Sequence, residues 1–264
     1  MKTELLYGIH PVAEALAADR RIFHEVFVAA DGSSRRLARL AAVAAARNIP
    51  VRRTDATRLN RLVGDLPHQG TVARVGAYPL ADLADVLAPA PEFALSRILV
   101  LLDTIVDPQN LGAIIRTALG VGAVGIVIAR DRAAGPSPTV SKASAGAMEH
   151  VRLVQVTNLA VTIRRLQEHR WWVYGMDRGA DLSVFQADLT GSVAVVIGGE
   201  EKGIRPLVKQ RCDRLLSIPQ QGPVASLNAS VAGAVAMYEV LRQGGGYGKL
   251  PADGAALHQK GSGR

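Results

Sequence analysis

Six short runs in the second half of the chain, residues 98–102, 124–129, 151–156, 172–175, 193–197 and 215–218, carry apolar residues with little alternation. A strand with one face in water alternates apolar and polar residues. A strand apolar on both faces must be covered on both, the condition met in a parallel sheet flanked by helices. Helical patterns at 111–119, 158–169 and 204–211 lie between several of these runs, and a last helix spans 228–242. The expected fold is therefore α/β, with a parallel-sheet domain over residues 97–245.

The front of the chain alternates helix and strand on a smaller scale. A helix opens at His10-Pro11 and runs to Ala18, a strand covers 25–29, and Ser33 or Ser34 caps a helix to Arg47. A strand follows at 51–53, Asp55 caps a helix to Val63, and a strand at 71–75 closes the unit. This predicts a small α/β domain over residues 1–76. Residues 77–96 carry Pro79, Pro89 and Pro91 with a net charge of −3 and one weakly helical stretch, and read as a linker. Residues 246–264 are Gly-rich and polar and read as a disordered tail. The chain carries +8 overall, and residues 1–76 hold 12 Lys/Arg against 7 Asp/Glu, nearly all of the cations being Arg. Arginine pairs bidentately with phosphate and stacks on bases, so this excess points to nucleic acid as readily as to a merely solvated surface, and Arg20, Arg21, Arg35, Arg36, Arg52 and Arg53 are the candidate contacts.

Cys212 is the single cysteine, which excludes an internal disulfide and a CxxC metal or redox site. No apolar run approaches the roughly 20 residues of a membrane helix, and the first residues lack a signal-peptide core. A soluble, cytoplasmic protein without a metal or a membrane partner is expected. Gly120-Val121-Gly122-Ala123-Val124-Gly125 matches the GxGxxG pattern of dinucleotide sites. That pattern needs a strand before it and a helix after it; here the order is reversed, so the glycines end a helix and turn into a strand.

Three segments at predicted strand ends carry the chemistry. In Asp107-Pro108-x-Asn110-x-Gly112-x-x-x-Arg116, Asn110 stands where a helix N-cap is expected, and Arg116 shares a helix face with Gly112, across whose bare surface its guanidinium could reach. In Gly198-Gly199-Glu200-Glu201-Lys202-Gly203, paired glycines permit close approach of a ligand, and Glu200 projects from the end of a parallel strand. In Ile218-Pro219 through Ser226-Leu227-Asn228-x-Ser230, a strand ends, a loop turns and a helix of small residues begins near Asn228.

Together these segments resemble, in order and spacing, the three motifs of the SpoU–TrmH family of RNA ribose methyltransferases in the knotted SPOUT superfamily. The front resembles the substrate domain of that family's RlmB branch, which methylates a guanosine of 23S ribosomal RNA, through Leu6-Tyr7-Gly8-Ile9-His10-Pro11-Val12-x-Glu14-Ala15-Leu16 and His68-Gln69-Gly70. The resemblance covers residues 1–245. It implies a trefoil knot, a homodimer, S-adenosylmethionine as methyl donor and ribosomal RNA as partner. It assigns Gly198, Gly199, Ile218, Leu227 and Ser230 to the cofactor. Arg116, Asn110, Glu200, Ser226 and Asn228 fall in the catalytic site. Gly199 and Glu201 depart mildly from the pattern, since relatives often carry other small residues there.

On this reading Asn110, Ser226 and Asn228 fix Arg116 and the RNA, while Glu200 orients its loop or pairs with a basic group. Arginine stays protonated, which favours Arg116 as a positioning group over the alternative of an unusual base. A transfer-RNA ribose methyltransferase, a resistance methyltransferase for another ribosomal site and a non-catalytic RNA-binding protein of the same fold are the competing readings.

Overall fold

The computed structural model describes residues 3–30, 34–87, 96–222 and 226–245. The front unit is built from β1 (Thr3–Tyr7), α1 (Ile9–Ala18), β2 (Phe23–Ala29), α2 (Arg35–Ala46), β3 (Val51–Thr54), α3 (Ala56–Val63) and β4 (Thr71–Gly76). Its mixed sheet runs β1-β4-β2-β3, with only β2 and β3 parallel. Alternation along the strands sends Leu6, Val26, Val28 and Val75 toward one core with Val12, Leu16 and Leu40 of α1 and α2. Tyr7, Phe27 and Val72 pack with Leu59 of α3 in another. Asp55 caps α3 by accepting the Arg58 N–H at 2.7 Å, as expected. Ser34 occupies the cap of α2 without a side-chain cap bond, and Ser33 lies outside the described residues. Strand β1 was not anticipated: with Thr3 and Glu4 in it, the segment offers too short an apolar signal.

The second sheet has six strands, all parallel, in the order β10-β8-β9-β5-β6-β7. Before it comes the short helix α4 (Leu83–Leu87). The sheet's own elements are β5 (Ser96–Asp103), α5 (Pro108–Gly120), β6 (Gly125–Ala129), α6 (Pro138–Ala143), β7 (Leu153–Val156), α7 (Leu159–Glu168), β8 (Trp172–Met176), β9 (Gly191–Gly198), α8 (Pro206–Arg211), β10 (Arg214–Leu216) and α9 (Ala229–Gln243). Val100, Leu102, Ile126 and Ile197 meet Ile115 of α5 and Met237 of α9 on one face. Leu99, Leu101, Val127 and Val196 meet Ile163 and Leu166 of α7 and Val208 of α8 on the other. Both faces are covered, which is why these strands show no alternation. Gly120 ends α5, and Gly122, at φ +70°, turns the chain toward β6, as the rejected dinucleotide pattern implied.

Residues 77–87 are not a free linker, which corrects the first reading of 77–96. The Ala81 N–H donates to Leu153 O at 2.9 Å, Ala81 bridges Val154, and Val86 is buried in the sheet's core. The strap covers the open edge of β7, whose backbone groups would otherwise lack partners. Ser96 belongs to β5, residues 88–95 lie outside the described residues, and so does the predicted tail at 246–264.

Arg20 and Arg21 are a second correction: they join the two units instead of facing RNA. Arg21, buried, places Nε 2.7 Å from Glu149 Oε2 and another nitrogen 2.7 Å from Glu4 Oε2, and Ser141 Oγ donates to Glu149 Oε1 at 2.8 Å. Arg20 donates to Val151 O at 2.7 Å, and both guanidinium groups lie over the Tyr78 ring at 5.4 and 5.2 Å. A buried charge has to be paired, and here the pairing crosses the boundary between the units.

Glu149→Ala removes the fully buried partner of Arg21 and leaves it only the Glu4 carboxylate, so chemical denaturation should show a loss of about 3 kcal/mol, the low end for a broken buried pair, against about 0–1 kcal/mol for Arg52→Ala, whose exposed side chain pairs with Glu25. Burial, reinforced by the Asp213 and Asp103 charges, pushes the Cys212 thiol up to about 12. Cys212 therefore stays a neutral thiol at pH 8, and mass spectrometry should find it unalkylated by iodoacetamide in the native protein and fully alkylated after denaturation.

Candidate active site at the strand ends

The loops leaving the C-terminal ends of β8, β9 and β10 surround a cavity of about 350 Å³. Gly198, Gly199 and Glu200 line it after β9, Ile218 after β10, and Ser226 and Leu227 just before α9. Sequence distance is no guide here, because a parallel sheet sends every strand's carboxyl end to the same side. Residues 223–225 of the third motif lie outside the described residues.

The glycines in this loop serve a purpose the sequence did not reveal. A Cβ on Gly198 would lie 2.2 Å from the Gly203 carbonyl carbon, and one on Gly199 would lie 2.5 Å from Thr104 O. The close approach they permit is therefore of the chain to itself, not only of a ligand. The Gly199 N–H donates to Asp103 O at 3.0 Å, and the Gly203 N–H to Gly199 O at 2.9 Å. Asp103, fully buried at the end of β5, accepts from the Arg205 backbone N–H and Nε, each at 2.7 Å, and pins the far end of the loop. Asp103 was overlooked as a functional residue; its only signal is a carboxylate closing an apolar run.

All three motifs meet at Glu200. Its Oε1 accepts from Asn110 Nδ2 at 3.0 Å and from Asn228 Nδ2 in a short contact, while Asn228 Nδ2 also lies 2.9 Å from Asn110 Oδ1. Glu200 thus pairs with two amides; of its two expected roles, orienting the loop or pairing with a basic group, the second is not seen. Asn110 is not the helix cap: Asp107 is, accepting the Gln109 N–H at 3.0 Å, with Pro108 in the first turn. Displaced into the helix, the Asn110 amide is released from capping and can reach across the site. Asn228 does cap α9, accepting Ser230 N–H at 2.9 Å and Ser230 Oγ at 2.6 Å. Ser230 is therefore engaged in the cap and is not among the cavity's lining residues.

Arg116 stands apart from this cluster. The surface at Gly112 is not bare: a Cβ there would lie 2.4 Å from Ala143 Cβ, because α6 packs directly onto α5. Arg116 is exposed, lies outside the cavity lining, and makes no bond to Asn110, Ser226 or Asn228. It lies six residues beyond Asn110, about 9 Å further along the helix axis.

The cavity rim adds charges that sequence reasoning missed. Asp177, after β8, forms an ion pair with Lys209 of α8. Burial pushes the Asp177 carboxyl up, but Lys209 and the Gly179 N–H outweigh it and hold the group below the usual carboxylate range. Lys202 and Glu201 line the same rim, exposed. Among the described residues no group of three or more His, Cys, Asp or Glu side chains could hold a metal ion.

Comparison with known proteins covers both units. Residues 97–238 match the SpoU rRNA Methylase family, and residues 5–81 match the RNA 2'-O ribose methyltransferase substrate-binding domain. A 23S rRNA (guanosine-2'-O-)-methyltransferase, RlmB, of Pectobacterium atrosepticum is 39% identical over 92% of this chain and 100% of its own length. An uncharacterized tRNA/rRNA methyltransferase of Synechocystis is also 39% identical over 92% of the chain, which spans 63% of that longer protein. The crystal structure of the SpoU methyltransferase AviRb from Streptomyces viridochromogenes, in complex with AdoMet, superposes with a TM-score of 0.75 at 26% identity, covering 90% of this chain and 89% of that one. No helix among the described residues is long and apolar enough to cross a membrane. Two matched regions in the same order, on a shared fold and at this level of identity, settle the lineage: the chain belongs to the SpoU family of rRNA methylases.

Proposed function

We infer that this chain is an S-adenosylmethionine-dependent RNA ribose 2′-O-methyltransferase that acts on a guanosine of 23S ribosomal RNA. The observation that carries the reading is the convergence of all three motifs on the Glu200 carboxylate beside the strand-end cavity. The RlmB relative supports the substrate, and the substrate-binding match over residues 5–81 supports an RNA partner.

The cavity fits the cofactor. Its volume of about 350 Å³ falls in the range of about 300–1,000 Å³ of small-molecule sites. Ile197, Ile218 and Leu227 offer apolar surface to a nucleoside, while Asp177, Lys202 and Lys209 offer both signs of charge to the ends of an amino acid. Gly198, Gly199, Ala229 and Ala232 leave the walls low enough for backbone contact. When bound, S-adenosylmethionine supplies a methyl group made electrophilic by its sulfonium. The protein's own task is to bring a ribose 2′-hydroxyl into line and to handle its proton. The Asn110–Glu200–Asn228 cluster holds the cavity loop against α5 and α9, so that the target position does not drift. Arg116 stays protonated and serves as a positioning group: it grips the phosphate next to the target ribose, and the hydroxyl proton passes to phosphate or water.

Arg116 lies outside its own protomer's cavity, so this role calls for a second copy of the chain. A homodimer is supported by the face around Arg116, where Leu119 of α5 and Val231 and Tyr238 of α9 are exposed although the two helices pack side by side. We read the strand-end loops as a trefoil knot, supported by the loop after β9 folding back on Thr104 and by α9 returning to pack on β5 and β9. The RNA surface then consists of Arg35, Arg36, Arg52 and Arg53, all exposed, without Arg20 and Arg21. A cytoplasmic location follows from that substrate.

Arg116→Ala should leave cofactor affinity unchanged by calorimetry and lower methyl transfer to a 23S RNA fragment by about 100-fold or more; near-normal turnover would sink the assignment. The affinity for that fragment should fall steeply between 50 and 200 mM salt. Arg52→Ala with Arg53→Ala should reduce the logarithmic salt slope by about 1–2, and an unchanged slope would remove these residues from the RNA surface.

A further inference from the structure

A second cavity, of about 370 Å³, opens at the other end of the parallel sheet. Trp172 begins β8, Thr190 precedes β9 and Arg214 begins β10, and all three line it. The cofactor cavity uses the opposite ends of the same strands, at Met176, Gly198 and Leu216. Along β8 the two are about 13 Å apart at the strand rise of ~3.3 Å per residue.

The chemistry of this cavity differs from that of a packing defect. Trp172 is 55% exposed, whereas its neighbour Trp171 is 2% exposed beneath the Arg97 guanidinium. The indole therefore offers an open aromatic face at the rim. Arg214 is exposed, and its guanidinium forms no hydrogen bond or ion pair with any described residue, while its backbone belongs to the ladder with β8. Asp188 binds the Thr190 N–H at 3.0 Å and Thr190 Oγ at 2.7 Å, both through Oδ1, which leaves Oδ2 without a hydrogen-bond partner among the described residues. Those bonds hold the Asp188 carboxyl below its usual range, so it is an acceptor at neutral pH. Tyr174 is not a free group: its hydroxyl donates to Asp188 O at 2.6 Å and fixes the loop that forms the outer wall.

An aromatic face, an unpaired guanidinium and an unfilled carboxylate oxygen match three parts of one ligand: a base, a phosphate and a base's N–H edge. We propose that this cavity is a second RNA subsite, which takes one unpaired nucleotide of the substrate strand with its base stacked on Trp172, its phosphate at Arg214 and its N–H edge toward Asp188. The proposal rests on the RNA reading above and extends it to a site remote from methyl transfer. A strand anchored at both ends of the sheet would be held in register, while the cofactor end alone performs the chemistry.

The two tryptophans make the site directly observable, since only Trp172 is open to a ligand. An unstructured eight-nucleotide RNA should quench tryptophan emission saturably, and saturating S-adenosylhomocysteine should not relieve the quenching. Guanosine monophosphate should quench only at far higher concentration; equal potency would overturn the strand reading in favour of a free-nucleotide site. With a fluorescein-labelled RNA followed by anisotropy, Trp172→Ala and Arg214→Ala should each weaken binding about tenfold, the scale of one lost base stack or phosphate contact. Calorimetric cofactor binding should be unchanged in both variants, which confirms that they fold. Unchanged emission at saturating RNA, or unchanged affinity in both variants, overturns the subsite. Methyl transfer by the unmodified protein is read separately: its failure would remove the enzymatic reading without touching the fluorescence result.

Discussion

The Glu200 carboxylate joins three pieces of chain that lie far apart in the sequence. One oxygen accepts from Asn110 on α5 and from Asn228 at the head of α9, while Glu200 itself rides on the loop after β9. Glu200 and Asn228 are exposed and Asn110 is half-buried, so the cluster contributes little as a source of stability. Its value is geometric. A carboxylate can accept several hydrogen bonds at once, and an amide can donate and accept, so three side chains suffice to close a ring.

That ring depends on a stiffer arrangement beneath it. The loop after β9 lies so near Thr104, and folds so tightly on itself, that only glycine fits at 198 and 199. Buried Asp103 then fixes the loop's exit through both the backbone and the side chain of Arg205. A site that must place two reactants in line cannot tolerate a loose wall, and here the wall is braced by backbone contacts and by an ion pair whose carboxylate is buried. The charged pair of Asp177 and Lys209 lines the same cavity.

The front unit is fastened to this sheet, not tethered to it. Arg21 and Glu149 meet in the buried boundary with Glu4 and Ser141, and the strap at residues 77–87 completes the edge of β7. Helix α6 touches both the front unit at β1 and α1 and the helix α5 that bears Asn110 and Arg116. The substrate-binding unit is thereby braced directly against the helices of the methylase domain. The sheet carries a functional cavity at its cofactor end and the Trp172 subsite at its other end.

Much of this was legible in the residues alone. Unbroken apolar runs require a sheet covered on both faces, and that requirement predicted the six parallel strands; short-range rules placed Asp55 as a cap and a helix start near Asn228, dismissed the GxGxxG run by its context, and put the cap of α5 at Asn110 where Asp107 holds it. The family resemblance placed Asn110, Glu200 and Asn228 in one site together with Arg116 and Ser226; it could not say that the first three bind one another while Arg116 stands apart. What depended on partners distant in sequence escaped. Arg20 and Arg21 look like any exposed arginine until Glu149, some 128 residues away from Arg21, arrives to pair with one of them. Asp103 looks like a strand end until Arg205 binds it, and Gly112 looks like bare surface until α6 fills it. Periodicity and capping are set by neighbours within a few residues, so the chain carries them in its order. Which charge is buried and which glycine is crowded are set only when separate elements dock, and the tertiary structure alone decided those.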